Sequence, residues 1–322
     1  MQISKSIAGS YPKNPKLAKA QAWYSAGKIG KEKYEKYLKT YTMKVFSLAK
    51  EINASYTTDG LLRWDDIVDV TFSFVKGATK GPLIRFYDNN FYYRRPIITS
   101  KLTKDDNSLI EAMGFSRDVM KEAGVSSKLK GVFLGPLSYY RLSEVKHYKN
   151  PEELMMDYSQ VLSETIDDLK GTLDTIEIHE PSMFEKRIKN ELITKLPEIY
   201  SPISSTKIEK HVITYFEMSH LERLENFFSI KADFHGIDLS ENLTKVAKIY
   251  PRLKGVRLIA GVLNTRTTKL EKVSSINKVL SNISEHGAKE VVLSNSSLMD
   301  FIPEMIAVKK IKLLNKVGGD KN

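Results

Sequence analysis

The sequence predicts an α/β protein, a (β/α)8 barrel made by a single domain over residues 1–322. Three observations carry that expectation. Eight short β-rich runs alternate with amphipathic helical patterns over most of the chain. Several of the runs are almost continuously apolar, as parallel strands covered on both faces must be. No Gly-, Ser- or Pro-rich linker, low-complexity segment or short repeat divides the chain, and this length is ordinary for one barrel.

The expected strands are SIAGS from Ser6, ASYTT from Ala54, GVFLG from Gly131, TIEIH from Thr175, HVITYF from His211, ADFHGID from Ala232, GVRLIAG from Gly255 and EVVLS from Glu290. Helical patterns lie between them at Pro151 to Leu169, Ser219 to Phe228, Asn242 to Ile249, Lys269 to Ile283 and Pro303 to Leu314. Pro151 suits a first helical turn, with Asn150 as the capping residue and Glu152 and Glu153 at the positive helix end. Residues 17–37 form an N-terminal helical extension. The stretch from Thr71 to Thr99 breaks the alternation. KGPLIRFYDNNFYYRRPII reads as a hairpin inserted after the second strand, turning at Asp88, Asn89 and Asn90. Such an insertion belongs at the C-terminal mouth of a barrel, where function resides. An open doubly wound sheet is the competing fold, but no Gly-rich phosphate loop follows the first strand.

Composition narrows the chemistry. Hydrophobic residues make up 41% and charged residues 28%, which suits a globular protein with a sizeable core. There is no cysteine, so disulfides, thiolate nucleophiles and Cys-containing zinc sites are excluded. No apolar stretch reaches the ~20 residues of a bilayer span, and the first residues lack a signal-peptide pattern, so a cytoplasmic location is expected. The net charge of +11 reads first as a lysine-rich, solvated surface, and otherwise as a preference for anionic partners. The lysines are scattered and no nucleic-acid motif accompanies them, so nucleic acid is not the expected partner.

Several segments, in the same order and spacing, resemble the cobalamin-independent methionine synthase family. IAGSYP is similar to that family's first strand, LAKAQAWYSAGKIGKEKYEKY to the helix pair that follows, and TTDGLLRWDDIVD to the second strand and its exit. FYYRRPII, VFLGPLSYY, IEIHEPSM and IPEMIAVKKIKLL resemble later family segments. The resemblance implies methyl transfer, usually from a methylfolate, to a homocysteine sulfur held as thiolate by zinc. It also implies two related barrels in the full-length enzyme, of which only the C-terminal one keeps the metal.

The positions that would bind zinc depart from the pattern. Thr214-Tyr215-Phe216-Glu217 matches a Thr-His-x-Cys run, so Tyr215 and Glu217 replace two ligands. Asp238 stands for a ligand Glu. Ser297, or Ser296 with a one-residue shift, stands for the last cysteine. Two carboxylates and two protonated oxygens make a poor zinc site, and without zinc a homocysteine thiol stays mostly protonated. The implied substrate pocket is altered as well. Ser10, Gly60 and Glu180 match and Asn264 follows a later strand, but Leu61 replaces a Glu and His179 replaces an Asp. No cofactor is therefore expected and zinc is not. A methylfolate or another anionic methyl carrier and a zinc-bearing methionine synthase barrel are the expected partners, with this chain as a non-catalytic subunit. The alternative is a methyltransferase with zinc-independent acceptor chemistry.

Other groups stay open at this level. Glu217 and Asp238 end adjacent strands, so they are candidates for acid–base work or a hard cation, or are leftover polarity of a lost metal site. His179 is a candidate base or a satisfied structural histidine. His147, His211, His220, His235 and His286 show no metal-ligand spacing. Tyr92, Tyr93, Arg94 and Arg95 suit either stacking of a pterin with capture of an anionic tail or packing of the hairpin onto the barrel or onto a partner.

Overall fold

The computed structural model describes residues 2–105, 108–216, 218–241 and 243–318. Among them, eight parallel strands form the barrel: β1 (Gln2–Lys5), β2 (Tyr56–Thr57), β3 (Lys128–Leu134), β4 (Thr175–His179), β5 (Glu209–Thr214), β6 (Phe234–Asp238), β7 (Arg257–Leu263) and β8 (Glu290–Asn295). Each pairs with its neighbour in chain order from β2 to β8, and β8 pairs with β1. A single parallel bridge, Ser6 to Tyr56, closes β1 on β2.

The strands are apolar because both faces are covered, by barrel interior on one side and helices on the other. Ile176, Ile178, Phe234, Ile237, Leu258, Val291 and Val292 are all fully buried. The helices follow their capping signals. Asn150 accepts the Glu152 backbone N–H at 2.9 Å and opens the Pro151–Asp168 helix. Asn14 does the same for Pro15–Ser25, which packs with Lys31–Glu51 as the expected N-terminal extension.

Three expected boundaries shift. The first strand lies at 2–5, not at Ser6 to Ser10. That later run is apolar because it crosses the top of the barrel: Gly9 turns at φ +62° and Ile7, Ala8 and Ser10 are buried beneath other loops. The segment at Ser219 to Phe228 splits into a 3-10 turn, Leu221–Arg223, and a short helix, Leu224–Ser229. The helix expected from Lys269 begins at Val273. Lys310 holds the chain before it extended, through the Lys269 carbonyl and the Glu271 carboxylate, both at 2.6 Å.

The insertion is a hairpin as expected. Its arms, Val75–Arg85 and Tyr92–Lys104, pair antiparallel and are joined by Glu144–Val145 at the second arm.

One ion pair sits in the interior. Lys130 on β3 and Glu177 on β4 have no solvent exposure, and the ammonium also donates to Ser6 Oγ at 2.7 Å. Burial opposes both charges: it pulls Lys130 down and by itself would lift Glu177. Lys130 and the His179 hydrogen bond override it and hold the Glu177 carboxyl at about 2. Glu177→Gln would leave an ammonium buried without its counter-charge, and should cost about 3–5 kcal/mol in denaturant unfolding. Replacing both residues, Lys130→Met with Glu177→Leu, should cost much less. Equal losses in the single and double variants would contradict this account.

Candidate functional site

The C-terminal ends of the strands carry a chain of buried polar groups. Glu177 Oε1 accepts the Gly9 backbone N–H at 2.6 Å and faces His179 Nε2 at 2.8 Å. His179 Nδ1 lies 3.1 Å from the Tyr215 hydroxyl at the end of β5. The loop after β1 rests directly on this chain. A Cβ on Gly9 would sit 2.8 Å from Leu298 Cδ2 and 3.1 Å from His179 Cε1, so both the left-handed turn and the close approach require glycine.

Above His179 and Tyr215 the mouth is filled with rings. Phe86, Tyr87 and Phe91 from the hairpin tip pack against Phe216 and Phe301 at centroid distances of 5.5–6.4 Å. Tyr87 also shares a 2.6 Å hydrogen bond with Ser182. Three non-glycine residues here adopt left-handed backbone: Leu61 at φ +54°, Tyr87 at +51° and Phe216 at +74°. Such conformations cost on the order of 1–3 kcal/mol each and persist only where surroundings enforce them. For Tyr87 and Phe216, which are members of it, the ring cluster is that enforcement.

The positions assigned to zinc by resemblance are satisfied within the fold. Tyr215 bonds His179, and burial pushes its phenol well above the ordinary value. Asp238 accepts from the Ser240 N–H at 2.8 Å and hydroxyl at 2.7 Å and from the Glu241 N–H at 3.3 Å; burial lifts it to about 6 against those bonds. Ser297 Oγ is 2.5 Å from Thr265 Oγ1, and Ser296 Oγ accepts the Thr265 N–H at 3.4 Å. Glu217 lies outside the described residues. A neutral phenol, a carboxyl closed by its own turn and a paired hydroxyl do not fit a zinc ion, which takes thiolate and imidazole. Among the described residues no three His, Cys, Asp or Glu groups are placed to hold a metal.

The other predicted residues divide among different places. Ser10 lines a cavity of about 280 Å³ with Lys13, Leu61, Trp64, Asp66 and Asp300. Gly60, at φ +79°, supports that cavity from below, since a Cβ there would meet Tyr11 Cβ at 2.8 Å. Glu180 turns away from it. Its carboxylate receives the Leu137 and Ser138 N–H groups at 3.1 and 2.9 Å, and the Ser138 and Tyr200 hydroxyls at 2.6 and 2.7 Å. It thereby caps the Pro136–Leu142 helix, and burial lifts it to about 6. Asn264 caps its own turn through the Arg266 N–H and lines a separate cavity of about 420 Å³ against Leu239 and Ile276.

The hairpin quartet splits by strand alternation. Tyr93 is buried and donates to the Leu142 carbonyl at 2.8 Å, and Arg95 reaches Glu144 at 3.6 Å. Tyr92 and Arg94 face outward. Four consecutive residues on a strand cannot converge on one ligand.

Sequence reasoning missed an arginine-lined cleft at the mouth. A cleft of about 800 Å³ is lined by Arg85, Arg141, Arg187 and Arg266 beside Tyr87 and Phe216. Arg141 forks onto Glu185 at 2.8–3.1 Å, and Arg266 lies 5.3 Å from the Phe216 ring centre and 3.3 Å from Glu241. Arg187 has no ion pair among the described residues. These arginines come from four separate segments, a hairpin arm, a short helix and two loops, so no linear motif signals them. Lys130 did carry a signal, as a lone cation inside an apolar strand, and Glu177 is the matching anion in the next one.

Fold and site together describe a (β/α)8 barrel whose C-terminal mouth is capped by a hairpin and edged with arginines. The chain belongs to the cobalamin-independent methionine synthase family: residues 61–288 match the family's "Cobalamin-independent synthase, N-terminal domain". A methionine synthase of Sulfolobus acidocaldarius is 26% identical over 320 residues, 97% of this chain and 90% of that protein. The 5-methyltetrahydropteroyltriglutamate–homocysteine methyltransferase of Thermotoga maritima is 21% identical over 304 residues, 89% of this chain but 40% of that protein. A B12-independent methionine synthase from a Shewanella species shares the fold with a TM-score of 0.78 at 16% identity, covering 98% of this chain and 96% of its own. No helix among the described residues is long and apolar enough to cross a membrane.

The titration of the buried carboxyls has a measurable consequence. Asp66 and Asp300 are lifted to about 7, and Glu180 and Asp238 to about 6, in each case chiefly by burial. Between the unperturbed carboxyl values and these, the folded chain holds more protons than the unfolded one, so stability falls as pH rises through that window. Glu177 and Glu209, held at about 2, act the other way, and their contribution is lost only in stronger acid. The melting temperature should peak near about pH 5 and decline toward pH 8, and Asp300→Asn should flatten the decline. A melting temperature that climbs steadily from pH 5 to pH 8 would contradict the assignment.

Proposed function

We propose that this chain is a methionine-synthase-like barrel without zinc chemistry that supports methyl transfer to homocysteine by a separate zinc-bearing barrel. The observation that carries the reading is the state of the inherited ligand positions. Tyr215, Asp238 and Ser297 offer no thiolate or imidazole, and the Tyr215 hydroxyl, Asp238 Oδ1 and the Ser297 hydroxyl are each engaged by a neighbour inside the fold. The match to the family's N-terminal domain, and the chain's coverage of 40% of the Thermotoga methyltransferase, support a role as one barrel of a two-barrel system. The arginine-lined cleft suits an anionic methyl donor such as a methylfolate, or its carrier.

A second reading is favoured by one observation. Asp238, lifted to about 6, has the poise of a general base near neutral pH, as a methyltransferase with zinc-independent acceptor chemistry would need. On that reading Asp238→Asn abolishes turnover by the isolated chain.

The test combines metal content with activity. The protein is purified without a metal-affinity step, supplied with zinc, dialysed and analysed by elemental mass spectrometry. Homocysteine methylation is then assayed for the chain alone, for the zinc-bearing barrel of the same organism alone, and for the two together. We expect far less than one zinc per chain, no turnover by the chain alone, and faster turnover by the pair than by the zinc-bearing barrel. About one tightly held zinc per chain, or turnover by the chain alone, would overturn the proposal.

A further inference from the structure

The hairpin has one face that the barrel does not use. Residues 75–104 hold seven Lys or Arg against a single Asp, a net of +6 in a chain of +11. Most of these cations are tied back to barrel carboxylates: Lys76 to Asp105 at 2.9 Å, Lys80 to Asp69 at 2.5 Å, Arg95 to Glu144 at 3.6 Å, Lys101 to Asp157 at 3.8 Å, and Lys104 to Asp168. Arg94 is different. Among the described residues it reaches only the Gly81 carbonyl, at 3.5 Å, and no carboxylate. Arg85 donates its Nε to the Asn89 carbonyl at 2.8 Å in the hairpin turn and pairs with Asp88 at 3.3 Å, whose side chain is 89% exposed.

Beside these arginines stand two large exposed apolar side chains, Leu83 at 57% and Tyr92 at 58%. Cross-strand register places Leu83 opposite Arg94 and Arg85 opposite Tyr92. Leu83, Tyr92 and Arg94 therefore form one outward block of an aliphatic group, a tyrosine and an arginine, while Arg85 at its end turns toward the mouth cleft. That composition anchors protein interfaces: a rigid ring with little entropy to lose, and a forked cation that pairs with carboxylates. The edge of the hairpin is closed to strand addition. Pro82 lacks a backbone donor, and the register shifts twice along the outer arm, near Gly77 and Gly81. The available surface is the face.

We propose that the block of Leu83, Tyr92 and Arg94 is the docking surface for the zinc-bearing barrel, which meets it with an acidic patch. The inference rests on the two-barrel reading above. Charge decides the occupant. Among the described residues Arg94 meets no carboxylate, a charge the partner supplies, whereas a second copy of this chain would bring +11 to +11.

The experiment measures binding of the same organism's zinc-bearing barrel by titration calorimetry at two salt concentrations. It uses the unaltered chain, the double variant Leu83→Ser with Tyr92→Ser, Arg94→Glu, and Tyr93→Phe as an inward-facing comparison. All four are melted first, and the outward variants should melt with the parent because the altered side chains stand in solvent. We expect the double variant to lose about tenfold or more in affinity. Arg94→Glu should weaken binding and reduce its salt dependence, and Tyr93→Phe should bind as the parent does. Equal affinity for all four chains overturns this surface while leaving the two-barrel reading intact. No binding by the unaltered chain overturns both. Self-association of the parent that the double variant abolishes would assign the face to a second copy and overturn the proposal.

Discussion

The barrel is organised around a charge it must keep balanced. Lys130 and Glu177 lie in the interior without solvent, and everything near them is arranged to satisfy them. Ser6 at the seam takes one ammonium proton, the Gly9 N–H and His179 occupy one carboxylate oxygen, and Tyr215 completes the line through His179. Four strands or strand ends thus meet at one anion. A buried pair of this kind adds little net stability over a well-packed apolar substitute, but it tolerates few alternative arrangements. The loop after β1 has to cross at Gly9, and β3 and β4 have to keep their register.

That network also explains the mouth. In a barrel built to activate a thiol, this region would stay open and present soft ligands to a metal. Here the strand ends are committed to one another, and the aromatic side chains of the hairpin tip settle on top of them. The strained backbone at Tyr87 and Phe216 marks where that cover is fitted. Space for a ligand moves outward, to the arginine-lined cleft between the hairpin and the loops after β4 and β7.

Much of the fold was legible because its signals are local. Apolar runs, caps such as Asn150 and the Asp88–Asn90 turn follow from neighbours in sequence. The first strand was misplaced because Ile7 and Ala8 are as apolar as a strand, yet they are buried by crossing the barrel. The site was much less legible. Asp238 and Glu180 are carboxylates at strand ends, which in sequence look like functional groups. Only the structure shows that a serine turn and a helix N-terminus claim them. The cleft arginines arise from separated segments of the chain, and no spacing rule connects Arg85, Arg141, Arg187 and Arg266.

The hairpin's alternation separates two tasks along a single strand. Tyr93 and Arg95 grip the chain near Leu142 and Glu144, while Tyr92 and Arg94 touch none of it. Natural selection can therefore rewrite the outward residues without loosening the inward ones. A lineage that changed partners would leave its record in every second residue of this segment, with the intervening positions unchanged.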